Sequence, residues 1–305
     1  MKIILLSIFF YSYFYASALF MPLPQKIEYD EDVVKLGKAL FYDPILSRDQ
    51  DISCFTCHNT YGAENRQFSV GTDKKMGDMN SLSVFNLQYK IGYFWNGRAT
   101  DLDEQLLGPL LAKHEMAGDK EIIIKRLKAS PKYKGMFLKA FSSPPTFENM
   151  LEAIYEFEET LLSINSKFDK YLRKELELSK EEEKGLDLFI SYGCVSCHNG
   201  INIGGNSYQK FGSVIERTTV DNDWKDRYDV TKKESDKMVF IVPSLRNVDK
   251  TAPYFHDGSI SNLRDAITLM GFYNIGVRLQ EDEVVAIESF LRTLTGEIPA
   301  TFIRD

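Results

Sequence analysis

The sequence predicts a mainly α-helical chain assembled from two similar units, with few short strands. Three observations carry that expectation. The motif Cys-x-x-Cys-His occurs twice, at residues 54–58 and 194–198, and the two copies use all four cysteines of the chain. Each copy follows a segment with apolar residues at helical spacing: Leu36-Gly37-Lys38-Ala39-Leu40-Phe41 before the first, and Lys184-Gly185-Leu186-Asp187-Leu188-Phe189 before the second. Elsewhere the helical period recurs, whereas residues 237–242 (KMVFIV) form the one convincing short strand. A repeat of this kind argues for two units in one chain rather than one unit with two sites.

The elements follow in chain order. Residues 1–18 read as an export signal: Lys2 is the positive start, residues 3–15 are an apolar run, and Ala16-Ser17-Ala18 supplies small residues for cleavage. The run is short for a membrane span, which needs roughly 20 residues. An uncleaved anchor is the competing reading, and no later stretch is long and apolar enough to cross a bilayer. The first unit is expected over residues 19–164. It includes helices at 119–129, 131–141 and 147–162, with Pro131 separating the first two. Residues 163–167 mark the boundary, and the second unit is expected over 165–305. There, residues 168–184 read as a charged, helix-favouring entry, and residues 281–294 as an amphipathic helix stopped by Gly296 and Pro299. Residues 199–207 and 272–276 read as loops.

Composition excludes several classes. With 305 residues, 44% hydrophobic and 27% charged, the chain is ordinary globular protein and neither disordered nor fibrous. The net charge of −7 is spread along the sequence without a basic stripe, which argues against a nucleic-acid partner.

Four cysteines in an exported protein would ordinarily suggest two disulfides, and a Cys-x-x-Cys pair a reducible one. The His after each pair points elsewhere. Cys-x-x-Cys-His is the attachment signature of c-type haem: two thiols form thioethers with the vinyl groups and the adjacent imidazole meets the iron. A zinc site made from both pairs would usually bring them within about 15–20 residues of each other, and these lie far further apart. Cys54, Cys57 and His58 are therefore expected to hold one haem c, and Cys194, Cys197 and His198 a second. This makes the chain two cytochrome c-like haem domains. What each iron does depends on its other axial position: His or Met there makes an electron carrier, and an open position binds small ligands. Only His114 and His256 remain as histidines, against nine methionines.

Several runs resemble the bacterial dihaem cytochrome c peroxidases. These are Gly37-Lys38-Ala39-Leu40-Phe41-Tyr42-Asp43-Pro44 ahead of the first haem motif, Phe94-Trp95-Asn96-Gly97-Arg98-Ala99, Glu115-Met116, Thr251-Ala252-Pro253-Tyr254-Phe255-His256, and Thr295-Gly296-Glu297. They span essentially the whole mature chain in order. The resemblance implies a periplasmic enzyme that reduces hydrogen peroxide with electrons from a small c-type cytochrome or similar donor. It implies that Met270, in Leu269-Met270-Gly271, is the second ligand of the His198 haem, whose potential a thioether raises. It implies that the His58 haem is peroxidatic, with Glu115 as its acid-base group, Gln105 as a polar neighbour and Trp95 between the two haems. Asn80 and the carbonyls of Thr251 and Pro253 correspond to a calcium site, a fitting oxygen set for that cation. A homodimer is left open. His256 is expected to be structural or to lie at a haem edge.

One departure stands out. Many of these peroxidases carry a His in a loop after the first haem that blocks the distal side until the other haem is reduced. The corresponding residue here is Thr72, and the loop contains no His. The first haem is therefore expected to be open when both irons are ferric, with Lys74, Lys75, Met76, Met79 and His114 as substitute ligands to be tested. The loop also has Met79-Asn80-Ser81-Leu82-Ser83 in place of the family's common Arg-Asn-Ala-Pro-Thr. Three rival functions remain: a dihaem electron carrier without turnover, an oxidase of a partner protein's side chain, and a degenerate peroxidase that senses peroxide or assists another pathway. Relatives that oxidise a partner's side chain have Tyr where this chain has Met270.

Overall fold

The computed structural model describes residues 17–217 and 225–304. The apolar run of the expected export signal lies outside the described residues. The longer helices are α1 Glu31–Tyr42, α2 Leu102–Leu111, α3 Lys120–Ala129, α4 Pro131–Phe141, α5 Phe147–Glu159, α6 Lys167–Leu172, α7 Lys180–Ser191, α8 Leu263–Met270 and α9 Glu281–Arg292. Their starts follow capping chemistry. Asp30, Asp101, Asp119, Ser130, Thr146, Ser166 and Ser179 each accept a hydrogen bond from a first-turn backbone N–H. Pro131 opens α4, where its missing N–H costs nothing.

Residues 168–184 are not one helical entry. α6 stops at Leu172, Lys174 turns left-handed (φ 61°), and α7 begins at a capping box between Ser179 and Glu182. α5 ends at Glu159 rather than 162, because the Thr160 hydroxyl donates to Phe157 O at 2.7 Å and the next amides make tighter 3₁₀-type bonds. β2 Val239–Ile241 lies within the expected strand and pairs antiparallel with β1 Tyr208–Lys210, Tyr208 opposite Ile241. β1, only three residues long, had no readable alternation.

Three apolar clusters form the interior. One joins α1 to α5 through residues such as Leu36, Leu40, Phe137 and Ile154. A second gathers Phe41, Phe85, Phe157 and Leu161. The third packs α6 to α9 around Phe168, Leu186 and Phe290. The halves repeat one contact. A Cβ on Gly37 of α1 would stand 1.8 Å from Ala153 O of α5, and one on Gly185 of α7 1.9 Å from Ala286 O of α9. Any side chain at these positions forces two helices apart. Gly185→Ala is expected to destabilise the protein by about 1–3 kcal/mol, the usual cost of overpacking, as a lower denaturant midpoint would show.

The chain ends cross between the halves. Phe20 is buried in the α6–α9 cluster and bridges to Gly200, and Leu23 N–H donates to Asp169 Oδ1 at 3.1 Å. Phe302 is buried with Phe41 and Phe85, its carbonyl accepting from the Tyr42 hydroxyl. Asp169 and Arg246, both fully buried, pair through two bonds of 2.9 Å, and Arg246 also reaches Met21 O at 3.3 Å. Breaking a buried pair by removing one partner costs about 3–5 kcal/mol. Asp169→Ala should lower the unfolding free energy by that amount in a denaturant titration; an unchanged midpoint would contradict the clamp.

Candidate functional site

The first Cys-x-x-Cys-His run is a single helical turn, Cys54–Cys57, closed by His58. The His58 ring engages Gly62 O through Nδ1 at 2.9 Å. Gly62 is left-handed (φ 74°), and a Cβ there would strike the Phe85 ring at 2.7 Å, so the turn that brings this carbonyl to the ring needs glycine. With Nδ1–H donating, Nε2 is the nitrogen left to bind a metal. Burial pulls the imidazole pKa down to about 4, so the ring is neutral at pH 7. Burial also pushes the Cys54 thiol up, and Cys57 to about 11. All four cysteine thiols are unpaired.

Cys54, Cys57 and His58 line a cavity of about 540 Å³, and Gln105 and Glu115 line the same cavity. Burial raises the Glu115 carboxyl, with His114 and Arg98 working against it. His114 Nε2 is 3.5 Å from Glu115 Oε1. Gln105 Oε1 is buried and accepts no hydrogen bond among the described residues, so an acceptor stands ready for a donor in the cavity. Of the substitute ligands, Met79 and His114 line this cavity, whereas Lys74, Lys75 and Met76 are exposed.

The second motif is a 3₁₀ turn, Cys194–Ser196, entered through left-handed Gly193. His198 is held down to about 4 by burial, with the Ile203 and Pro243 carbonyls opposing that shift. Burial pushes the Cys194 thiol up to about 12. These residues and Met270 line a cavity of about 440 Å³. Met270 ends α8, which runs on into a π-helical turn, Gly271–Ile275, where a loop was expected. Both cavities have the size of cofactor sites. With two cysteines and a buried, neutral imidazole on the wall of each, they fit covalent haem.

Trp95, Lys90 and residues 80–83 line both cavities and so form their common wall. The Trp95 indole N–H donates to Asn80 O at 2.8 Å, and Asn80 N–H to His256 O at 2.8 Å. The His256 ring stacks on Phe240 at 4.2 Å and stands edge-on to Trp95 at 6.2 Å. Asn80, Thr251 and Pro253 come together on the second cavity's wall, where the Asn80 amide donates to Arg66 O and Gln67 O. Among the described residues no group of three or more His, Cys, Asp or Glu side chains gathers as a metal site.

Sequence reasoning missed Lys90 and Glu158. Lys90 Nζ donates to Ser83 O at 3.0 Å, and burial lowers its pKa to about 8. Glu158 lines the first cavity, and burial raises it to about 8. Nothing in the sequence marks those two, but a longer repeat around the wall was readable. Ser83, Asn86, Tyr93-Phe94 and Gly97 recur at one constant offset as Ser244, Asn247, Tyr254-Phe255 and Gly258. Asn86 and Asn247 are both left-handed, each followed by a 3₁₀ turn. Trp95 and His256 hold corresponding positions and meet at the wall.

The Thr72 loop is a hairpin. Val70 bridges Met76, and Asp73 and Lys74 form its left-handed tip (φ 58° and 57°). Thr72 faces inward, 2% exposed, against the Glu115 segment.

Two Cys-x-x-Cys-His turns, each opening on its own cavity and separated by one wall, define a c-type protein with two haem sites. The profile of the di-haem cytochrome c peroxidase family matches residues 31–177. The chain is 42% identical over 298 residues to cytochrome c551 peroxidase of Pseudomonas aeruginosa, covering 93% of this chain and 86% of that one. It is 43% identical over 272 residues to cytochrome c551 peroxidase of Nitrosomonas europaea, covering 88% and 81%. A crystal structure of a MauG-like protein associated with microbial copper homeostasis superposes with a TM-score of 0.81 at 26% identity, covering 93% and 95%. This chain belongs to the bacterial dihaem cytochrome c peroxidase family. Among its described residues no helix is long and apolar enough to cross a membrane.

Proposed function

We propose that this chain is a periplasmic peroxidase that reduces hydrogen peroxide to water with electrons from a small c-type cytochrome or similar donor. The observation that carries this reading is an asymmetry between the cavities: a half-buried carboxyl, Glu115, and an unsatisfied amide oxygen, Gln105 Oε1, line the one beside His58, whereas no carboxylate among the described residues lines the one shared by His198 and Met270. The two halves are read as cytochrome c-like units over 19–164 and 165–305, the first peroxidatic and the second electron-accepting.

Haem bound at the two sites supplies the electrons and the centre at which the O–O bond breaks. The protein's part is the proton. The Glu115 carboxylate takes a proton from one peroxide oxygen and returns it to the other, which leaves as water. Its raised pKa suits both directions of transfer. Gln105 Oε1 accepts from the substrate and orients it. Two electrons and two protons are consumed per peroxide, and two waters form. Haem held by His198 and Met270 would take electrons singly from the donor, and Trp95 stands in the wall between the two sites. Calcium held by Asn80, Thr251 and Pro253 would tie the halves together there; their shared wall supports this.

Steady-state reduction of hydrogen peroxide by a reduced small c-type cytochrome tests the proposal, and a doubly haem-loaded protein without turnover would refute it. His114 and Met79, on the first cavity's wall, are the groups through which the electron-carrier alternative would arise. Optical and spin-resonance spectra of the fully ferric protein separate the two. A high-spin first haem is expected, and low-spin signals from both would favour the carrier.

A further inference from the structure

Glu115 is carried on a turn rather than a helix. α2 ends at Leu111, and residues 112–118 are held by local turn bonds such as Glu115 N–H to Ala112 O at 3.0 Å. A loop-borne carboxylate has no helical ladder to fix it, so its support must come from outside the segment. The hairpin 69–77 provides it. Gly71 approaches so closely that a Cβ there would stand 2.0 Å from His114 O. Thr72 N–H donates to Glu115 O at 2.8 Å, and its hydroxyl donates to Lys113 O at 3.1 Å. Arg48 locks the tip: its guanidinium reaches Asp73 at 2.7 and 3.3 Å, while its own N–H donates to Met116 O at 2.9 Å.

We propose that Thr72 is a positioning residue for Glu115: it turns the hairpin into a strut for residues 113–116 and presets the distal carboxylate whatever the oxidation state of either iron. The inference rests on the reading of Glu115 as the proton-transfer group. Both hydrogens that Thr72 can donate go to backbone carbonyls of the acid's own segment. The inward residue at this tip is thus tied to the polypeptide through both of its donors. The tip residues that follow it, Asp73, Lys74 and Lys75, are exposed.

Thr72→Val keeps the shape and loses the hydroxyl, and Thr72→Ser keeps the hydroxyl. In the haem-loaded protein, Thr72→Val should speed amide exchange across 113–116 by about tenfold, near the upper worth of one buried hydrogen bond. It should lower kcat by a similar factor with KM little changed, and Thr72→Ser should restore both to within about twofold of wild type on the same scale. The fully ferric wild type should bind cyanide without prior reduction. Exchange at 113–116 unchanged in Thr72→Val, or cyanide binding that waits for reduction, would overturn the strut. Turnover that survives Glu115→Gln would instead sink the underlying assignment, while the exchange measurement still decides whether the strut exists.

Discussion

Glu115→Gln is expected to lower peroxide turnover by about 10²–10⁴-fold, the range attributed to a positioned general acid–base, with both haems still attached. The substitution keeps size and hydrogen-bonding shape and removes only the ability to take up and release a proton. Three features around this side chain make the loss large. It shares the His58 cavity with Gln105, whose buried oxygen has no partner among the described residues. Burial raises its pKa against the pull of His114 and Arg98. Its backbone is fixed by the hairpin. The pH dependence carries a sign. In the proposed role the carboxylate must accept a proton, so activity is expected to rise with pH through the Glu115 pKa, and burial places that limb above the ordinary Glu value of about 4.3. The limb should vanish in the Gln variant. A pH profile of kcat/KM in both proteins checks this, and an unchanged limb would assign it to another group.

Met270→His is expected to lower the reduction potential of the His198 haem by a large part of the roughly 0.8 V that axial ligands span. A thioether favours ferrous iron, and a second imidazole does not. Donor-driven turnover should fall in proportion, because electrons would no longer settle on the entry haem. The residue ends α8 just where the helix gives way to the π-turn Gly271–Ile275, a kind of irregularity common at functional sites. Spectroelectrochemical titration reads the outcome directly. A potential that stays in place in the variant would mean that Met270 lines the cavity without binding iron.

Much of this was legible in the sequence, for identifiable reasons. The haem sites are local in sequence, five residues each, so spacing alone exposes them. Helices α3, α4 and α9 announce themselves through caps and apolar stripes, and Pro131 marks a true helix start. The split between α6 and α7 was harder, because a charged run favours helix throughout and the break depends on one capping box. Lys90 and Glu158 were invisible for another reason. Their burial is a property of three-dimensional packing, and a lone Lys or Glu in a sequence is most often solvated. Met270 and Glu115 are the intermediate case. Resemblance named them, and their surroundings now give each a physical reason for its proposed role. At Thr72 sequence comparison found only a missing His; the hairpin's bonds to Lys113 and Glu115 belong to folded geometry.

The crossed chain ends have a consequence for assembly. Phe20 closes the core of the second half, and Phe302 closes that of the first. Synthesis proceeds from one end, so the earliest described segment must wait for Asp169 and Arg246 before it can settle. The half built around His58, though made first, is sealed by Phe302, which is made after every α-helix of the second half. Cutting the chain between the halves would strand a plug on each side: a piece ending near residue 164 keeps its cysteines but lacks Phe302, and the remainder lacks Phe20. Each half is thus closed by a residue from outside its own helices, and a cut between them is expected to leave both cores open.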